Sequence, residues 1–175
     1  MMPDAVPAIP EKGGVEEVRK ACFHFADLYF HFVAVLVTEF GEPGAGELVG
    51  KVLRERAAER GQRLRSRAAE LGLEPKVEEF EKVTDIPFLG WDPRLGRETC
   101  PYAAAWLPRY ADHPWFPKFA RMYCDINDTG VIETFTRTMS QRITKNVLAG
   151  DDSCERIYFP KDPGLNRLPG GGSRE

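Results

Sequence analysis

Apolar residues recur at three- and four-residue spacing along the first part of the chain. Val18, Cys22, Phe25, Tyr29, Phe32, Val33, Leu36 and Phe40 fall on one broad face, which predicts an amphipathic helix over 15–40. Glu16 and Glu17 suit the positive end of its dipole. Gly41, Pro43 and Gly44 end it. A second helix is expected from about Glu47 to Leu71, with Leu48, Val52, Leu53, Ala57, Leu64, Ala68 and Leu71 inward and Gly72 as its C-terminal cap. Two such helices with a short Gly/Pro connection can pack as an antiparallel pair.

Beyond Gly72 the pattern changes. Residues 77–91 are short and mixed, and Val83, Ile86, Phe88 and Leu89 read in part as a strand. Cys100 to Tyr110 can open a short helix, because Pro101 is tolerated in a first turn where its missing N–H had no partner. His113 to Pro117 reads as a loop entering a helix of about 118–127. From Glu133 onward Phe135, Thr136, Thr138, Ile143, Thr144 and Val147 suggest strand. After the turn Ala149–Ser153, Cys154, Arg156 and Tyr158 alternate with Glu155, Ile157 and Phe159, the period of an antiparallel hairpin. The expected architecture is α+β, with N-terminal helices packed on a small antiparallel β-sheet. Residues 1–14 and 161–175 are Pro- and Gly-rich and read as flexible ends around a single domain over 15–160.

Composition narrows the partners. A chain of 175 residues with 42% hydrophobic and 29% charged residues can bury a sizeable core. A net charge of −3 gives no overall electrostatic case for nucleic acid, and the arginines between Arg54 and Arg67 are interleaved with Glu55 and Glu59. No secretory signal is visible. The apolar stretch from Phe23 to Val37 is broken by His24, Asp27 and His31, so no membrane partner is expected. The wide spacing of four cysteines does not suggest a disulfide scaffold, and reduced thiols in a cytoplasm are the expectation. Phe23, Phe25, Tyr29, Phe30 and Phe32 wrap more than one face of the first helix, which leaves room for a homo-oligomer through that helix.

The candidate chemistry lies in the second half. Cys100 and Cys124 are either nucleophiles or small apolar core fillers. Cys100, before Pro101 at a helix start, has partial positive charge beside it, which favours a thiolate. Asp125 and Asp128, at i and i+3, can share a face as base or cation ligands; the same run, Asp-Ile-Asn-Asp-Thr-Gly, also reads as a helix end. His113 can carry protons near neutral pH, or can be an exposed loop residue. Cys100, His113, Cys124 and Cys154 lack the close pair spacing of a zinc site, so no cofactor is expected, with zinc as the alternative. Asp151 and Asp152 are most simply turn residues.

The succession Cys100-Pro101, Tyr123-Cys124-Asp125, a strand, then Gly150-Asp151-Asp152-Ser153-Cys154 and an aromatic-rich strand resembles the L-2-amino-thiazoline-4-carboxylic acid hydrolase family over about Thr99 to Phe159. Arg137-Thr138 lies a full strand upstream of the place where that family usually carries such a pair. The resemblance implies hydrolytic opening of a small sulfur–nitrogen ring. It makes Cys100 or Cys124 the nucleophile, with Asp125 and His113 handling protons. Arg137 or Arg142 would hold a substrate carboxylate, with Asp128 also at the substrate. The alternative expectation is a non-catalytic small-molecule or metal sensor using the same α+β pocket.

Overall fold

The computed structural model describes residues 11–86 and 100–161. Its first element, α1 (Glu11–Glu70), holds helical hydrogen bonding across a sharp break at Gly41, where φ is 66° and ψ is 168°. Two contacts show that α1 is folded back on itself. The Tyr123 ring packs on Phe25 and Tyr29 and also lies under the Arg56 guanidinium. In a straight helix Phe25 and Arg56 would stand about 45 Å apart at ~1.5 Å per residue. The expected antiparallel pair is therefore present, hinged on a glycine that takes a left-handed conformation and followed by Pro43 near the start of the second arm. The helix begins at Glu11, inside the segment read as a lead-in.

The inward face of the first arm is Cys22, Ala26, Phe30 and Val33; that of the second is Ala45, Val49, Leu53, Ala57, Leu64 and Ala68. Leu48, Val52 and Leu71, expected inward, are exposed, because the second arm is rotated so that Val49 and Leu53 meet the core instead. By length and composition α1 is long and apolar enough to cross a membrane; the window that passes has a mean hydropathy of 1.5 and is 22% buried.

Of the segment read in part as a strand, the first residues are helical: a 3-10 turn at Val77–Glu79 leads into α2 (Phe80–Val83). Phe88, Leu89 and Trp91 lie outside the described residues. Arg60, buried on the second arm, holds the chain after α2 through Asp85, with Nε donating to Oδ1 at 2.7 Å. The short helix after Cys100 is α3 (Pro101–Trp106), with Cys100 at its N-cap and Pro101 in its first turn. Trp106 is fully buried and donates its indole N–H to Ala26 O at 2.8 Å, which fastens α3 along the first arm.

The next helix is longer than its spacing suggests. It starts as α4 (Phe116–Met122), widens into a π-helical stretch at Tyr123–Asp128, and continues as α5 (Thr129–Thr136). Phe135 and Thr136, read as strand from their β-propensity, belong to α5. There Val131, Ile132 and Phe135 are buried, and Gly130 lets the backbone approach Ala57. Arg65 donates to Phe135 O at 2.8 Å and satisfies one carbonyl of the helix end. Arg137 then takes a left-handed conformation, φ 66°, and turns the chain into β1 (Met139–Lys145). β1 pairs antiparallel with β2 (Glu155–Pro160), Arg142 opposite Ile157, with an irregularity between Ile143 and Lys145. β1 packs on α5, which packs on the second arm of α1. The fold is α+β, mostly helical, with a two-stranded antiparallel sheet among the described residues.

Candidate functional site

Three elements deliver sulfur to one region. Cys100 stands at the N-cap of α3, Cys124 in the π-helical stretch, and Cys154 immediately before β2. The Val147 N–H donates to Cys154 Sγ at 3.5 Å, and Val147 belongs to the same apolar cluster against which Cys100 and Cys124 pack. The groups are close enough to alter one another's ionisation. Burial pushes the Cys124 thiol well above its ordinary range, and Asp128 and Cys100 push it further. The Cys100 thiol is raised mainly by burial and additionally by Cys154 and Asp128; the amides of Ala103 and Tyr102 favour its thiolate without offsetting the burial. Both thiols are protonated at neutral pH. Cys154 is exposed, and the four cysteines are unpaired.

A polar chain runs beside the sulfurs. Arg56 donates to Asn127 Oδ1, Asn127 Nδ2 donates to Asp128 Oδ1 at 3.0 Å, and Arg156 donates to Asp128 Oδ2 at 2.9 Å. Asn127 is 2% exposed. A buried amide that accepts from one guanidinium and donates to a carboxylate links the two and helps to orient Asp128. The π-helical turn puts Cys124, Asn127 and Asp128 on one wide loop of helix; such widened turns recur at functional sites. Two buried amide donors nearby have no protein partner: Gln141 Nε2, opposite Tyr158 in the sheet, and Asn146 Nδ2, next to Val147. The Gln141 carbonyl accepts from Thr129 Oγ1 at 3.4 Å, next in sequence to Asp128.

The remaining expected residues are dispersed. Asp125 lies 3.5 Å from Arg121 on the helix surface; burial and then the Asp128 charge raise its pKa, against the pull of Arg121. His113 sits in an aromatic cluster with Phe30 and Trp115, inclined to both rings at distances of 4.8 and 5.6 Å. Arg137 and Arg142 are exposed, Arg137 as the left-handed cap of α5. Thus Cys100, Cys124 and Asp125 are all in electrostatic reach of Asp128, Asp125 being paired with Arg121 as well, while His113 packs against Phe30 and Trp115. No group of three or more His, Cys, Asp or Glu side chains among the described residues is arranged to hold a metal ion.

No protein-family model matches the chain, and neither does any curated protein or solved structure. The site therefore rests on its own geometry. Sequence reasoning missed Arg156, Asn127, Arg56, Gln141 and Asn146. Period two in 154–159 puts Cys154, Arg156 and Tyr158 on one face, so Arg156 was within reach of that pattern. Arg56 and Asn127 carried no such signal, since their contact joins the second arm of α1 to the π-helical stretch across 71 residues of sequence.

Proposed function

We propose that the protein is a small hydrolase that opens a cyclic amidine or thiazoline-like ring with thiol and carboxylate assistance. The observation that carries this reading is the packing of Cys100 and Cys124 on the apolar cluster of Val147, whose N–H meets Cys154, with the Asp128–Arg156 ion pair in electrostatic reach. Cys100 or Cys124 adds through sulfur to the amidine carbon, and the thiol proton passes to Asp128. The carboxyl group returns that proton to the ring sulfur or nitrogen as its bond to carbon breaks. Water then releases the opened product and regenerates the thiol. Arg156 takes the place expected for Arg137 or Arg142: it is the cation beside the sulfurs and suits a substrate carboxylate, with Gln141 Nε2 as a further donor. In the same reading the protein works in a cytoplasm, where its thiols stay reduced.

Replacing Cys100 and Cys124 in turn by Ser, with ring opening assayed on thiazolines, hydantoins and lactams, tests the reading. At least one variant is expected to lose turnover. Full activity in both removes thiol catalysis.

The raised thiol pKa values favour a second reading, a non-catalytic small-molecule-binding protein of the same fold. Saturable binding of a ring carboxylate without turnover, abolished by Arg156→Ala, would select it.

A further inference from the structure

Of the three sulfurs at the site, Cys154 is the one that ring opening does not use. It is exposed, and it is held in place by the Val147 N–H, which donates to its sulfur at 3.5 Å. Two ion pairs and one packing contact fix which way the hairpin runs past the long helix. Lys161 Nζ lies 2.8 Å from Glu133 in α5, Arg156 lies 2.9 Å from Asp128, and the turn Val147–Ala149 packs on α4. Going back from Lys161 to Cys154 therefore runs from α5 towards α4. Cys154 is two residues before Arg156 and continues its face of the strand. Cys124 is four residues before Asp128, close to one turn of a widened helix, and continues its face. Both sulfurs thus stand on the α4 side of the Asp128–Arg156 bridge.

Cys100 reaches the same place from α3. The Tyr102 ring, two residues on, lies 5.5 Å from the ring of Tyr123, the neighbour of Cys124. Tyr110, just after α3, donates to Leu148 O at 3.3 Å, beside Val147. We propose that Cys154 and Cys100 join in an intramolecular disulfide when the protein meets a peroxide, a reversible modification that withdraws Cys100 from chemistry.

Exposure sets the order of events. The Cys154 sulfur attacks the peroxide first: an S–O bond forms as the O–O bond breaks, giving a sulfenic acid and water. The Cys100 sulfur then attacks that sulfur. The S–S bond forms, the S–O bond breaks, and the Cys100 proton leaves with the hydroxyl as a second water. The two sulfurs give up two electrons and the peroxide takes them. Cys100 is the partner in preference to Cys124, because Cys154 is the foremost charge acting on the Cys100 thiol, whereas at Cys124 it comes after Asp128, Cys100 and Arg156.

Peptide mapping of the full chain tests the proposal, since trypsin puts the four cysteines in different peptides, Cys100 in 98–109 and Cys154 in 146–156. The reduced protein is treated with one equivalent of hydrogen peroxide, alkylated, digested without reductant and analysed by mass spectrometry. The expected product is 98–109 joined to 146–156 with the loss of two hydrogens, undone by dithiothreitol. Cys154→Ser should lose the joined peptide completely, and Cys100→Ser should leave a sulfenic acid at Cys154 that dimedone traps. Cys154 recovered as a free thiol or a sulfinic acid beside an alkylated Cys100 overturns the proposal. So does a bond from Cys154 to Cys124 or to a second chain. The map reads no turnover, so it decides the disulfide whether or not the protein opens rings. The effect on activity rests on the ring-opening reading: peroxide should silence wild type and spare Cys154→Ser, and equal loss in both would overturn control through Cys154.

Discussion

Gly61 and Gly130 mark the closest approach between the second arm of α1 and α5, and adding a methyl group at Gly61 measures how much that approach matters. A Cβ at Gly61 would lie 2.6 Å from Thr134 Cβ, 2.9 Å from Val131 O and 3.0 Å from Thr134 Cγ2. Two of these atoms are a backbone oxygen and a β-carbon, which cannot rotate away. The helices must part by about 1 Å to recover ordinary contact near ~3.5 Å, and overpacking of this kind costs roughly 1–3 kcal/mol. Against that, alanine gains about 0.8–1.0 kcal/mol over glycine in a helix interior. Gly46 in the same α1 separates the two effects, because a Cβ there would meet only Lys118 Nζ, at 3.8 Å. Gly46→Ala is expected to stabilise by about 1 kcal/mol, with the propensity gain alone. Gly61→Ala should fall below Gly46→Ala by about 2 kcal/mol, or roughly 4–8 °C in Tm for a chain of this size. Thermal and urea unfolding followed by far-UV circular dichroism read the gap. If Gly61→Ala is as stable as Gly46→Ala, α5 does not pack this tightly on α1, and the placement of Cys124 to Asp128 against Arg56 falls with it.

Three further outcomes are expected. In the native protein an aromatic disulfide reagent should titrate Cys154 quickly and Cys22, Cys100 and Cys124 slowly, with all four equivalent in urea; equal native rates would contradict the burial pattern. Asp128→Asn removes a negative charge that raises both the Cys100 and the Cys124 thiol, so thiolate absorbance should appear at lower pH than in wild type; an unmoved titration would mean that Asp128 is not beside them. Stability should fall as pH rises above about 9, because the folded state keeps protons on Cys100, Cys124, Tyr29, Tyr102 and Tyr123 that the unfolded chain releases at the ordinary values of 9.0 for a thiol and 10.0 for a phenol. Below those values both states are protonated and these groups leave the slope flat; equilibrium unfolding in urea between pH 7 and 11 checks the sign.

How much of this was legible depends on whether the deciding contact is local. The hinge at Gly41 could be read because a Gly/Pro interruption between two amphipathic runs has few other meanings. Cys100 as an N-cap before Pro101 followed from the same local chemistry. α5 was hidden because Phe135 and Thr136 favour strands intrinsically, while Gly130 facing Ala57 and Arg65 capping Phe135 O are tertiary facts that override propensity. The rotation of the second arm was likewise invisible, since Leu48 and Val49 fit an apolar stripe equally well. Within the site, the cysteines and Asp128 stood out by residue type. His113 did too, yet its ring is consumed by Phe30 and Trp115, because an imidazole next to Pro114 and Trp115 offers a flat surface as well as a base. Asn127 gave no cue at all: its value lies in bridging Arg56 and Asp128.

The protonation state of the sulfurs constrains any thiol chemistry here. Burial is the first cause that keeps Cys124 neutral, and Asp128 is the second. Yet Asp128 is also the carboxylate placed to receive the proton. When the proton moves from Cys124 to Asp128, the charge that opposed the thiolate disappears in the same step, and Arg156 then faces a thiolate in place of a carboxylate. The pair carries one negative charge before and after, so the transfer avoids the full penalty that the thiol pays when it ionises alone. A reaction run this way draws on the one-proton form of the pair. Its rate should therefore stay level from pH 7 to 9 and not climb tenfold per unit as for an isolated buried thiol. A ring-opening rate that climbs throughout that range would show that the thiol ionises without Asp128, and would return the carboxylate to a purely structural partnership with Arg156.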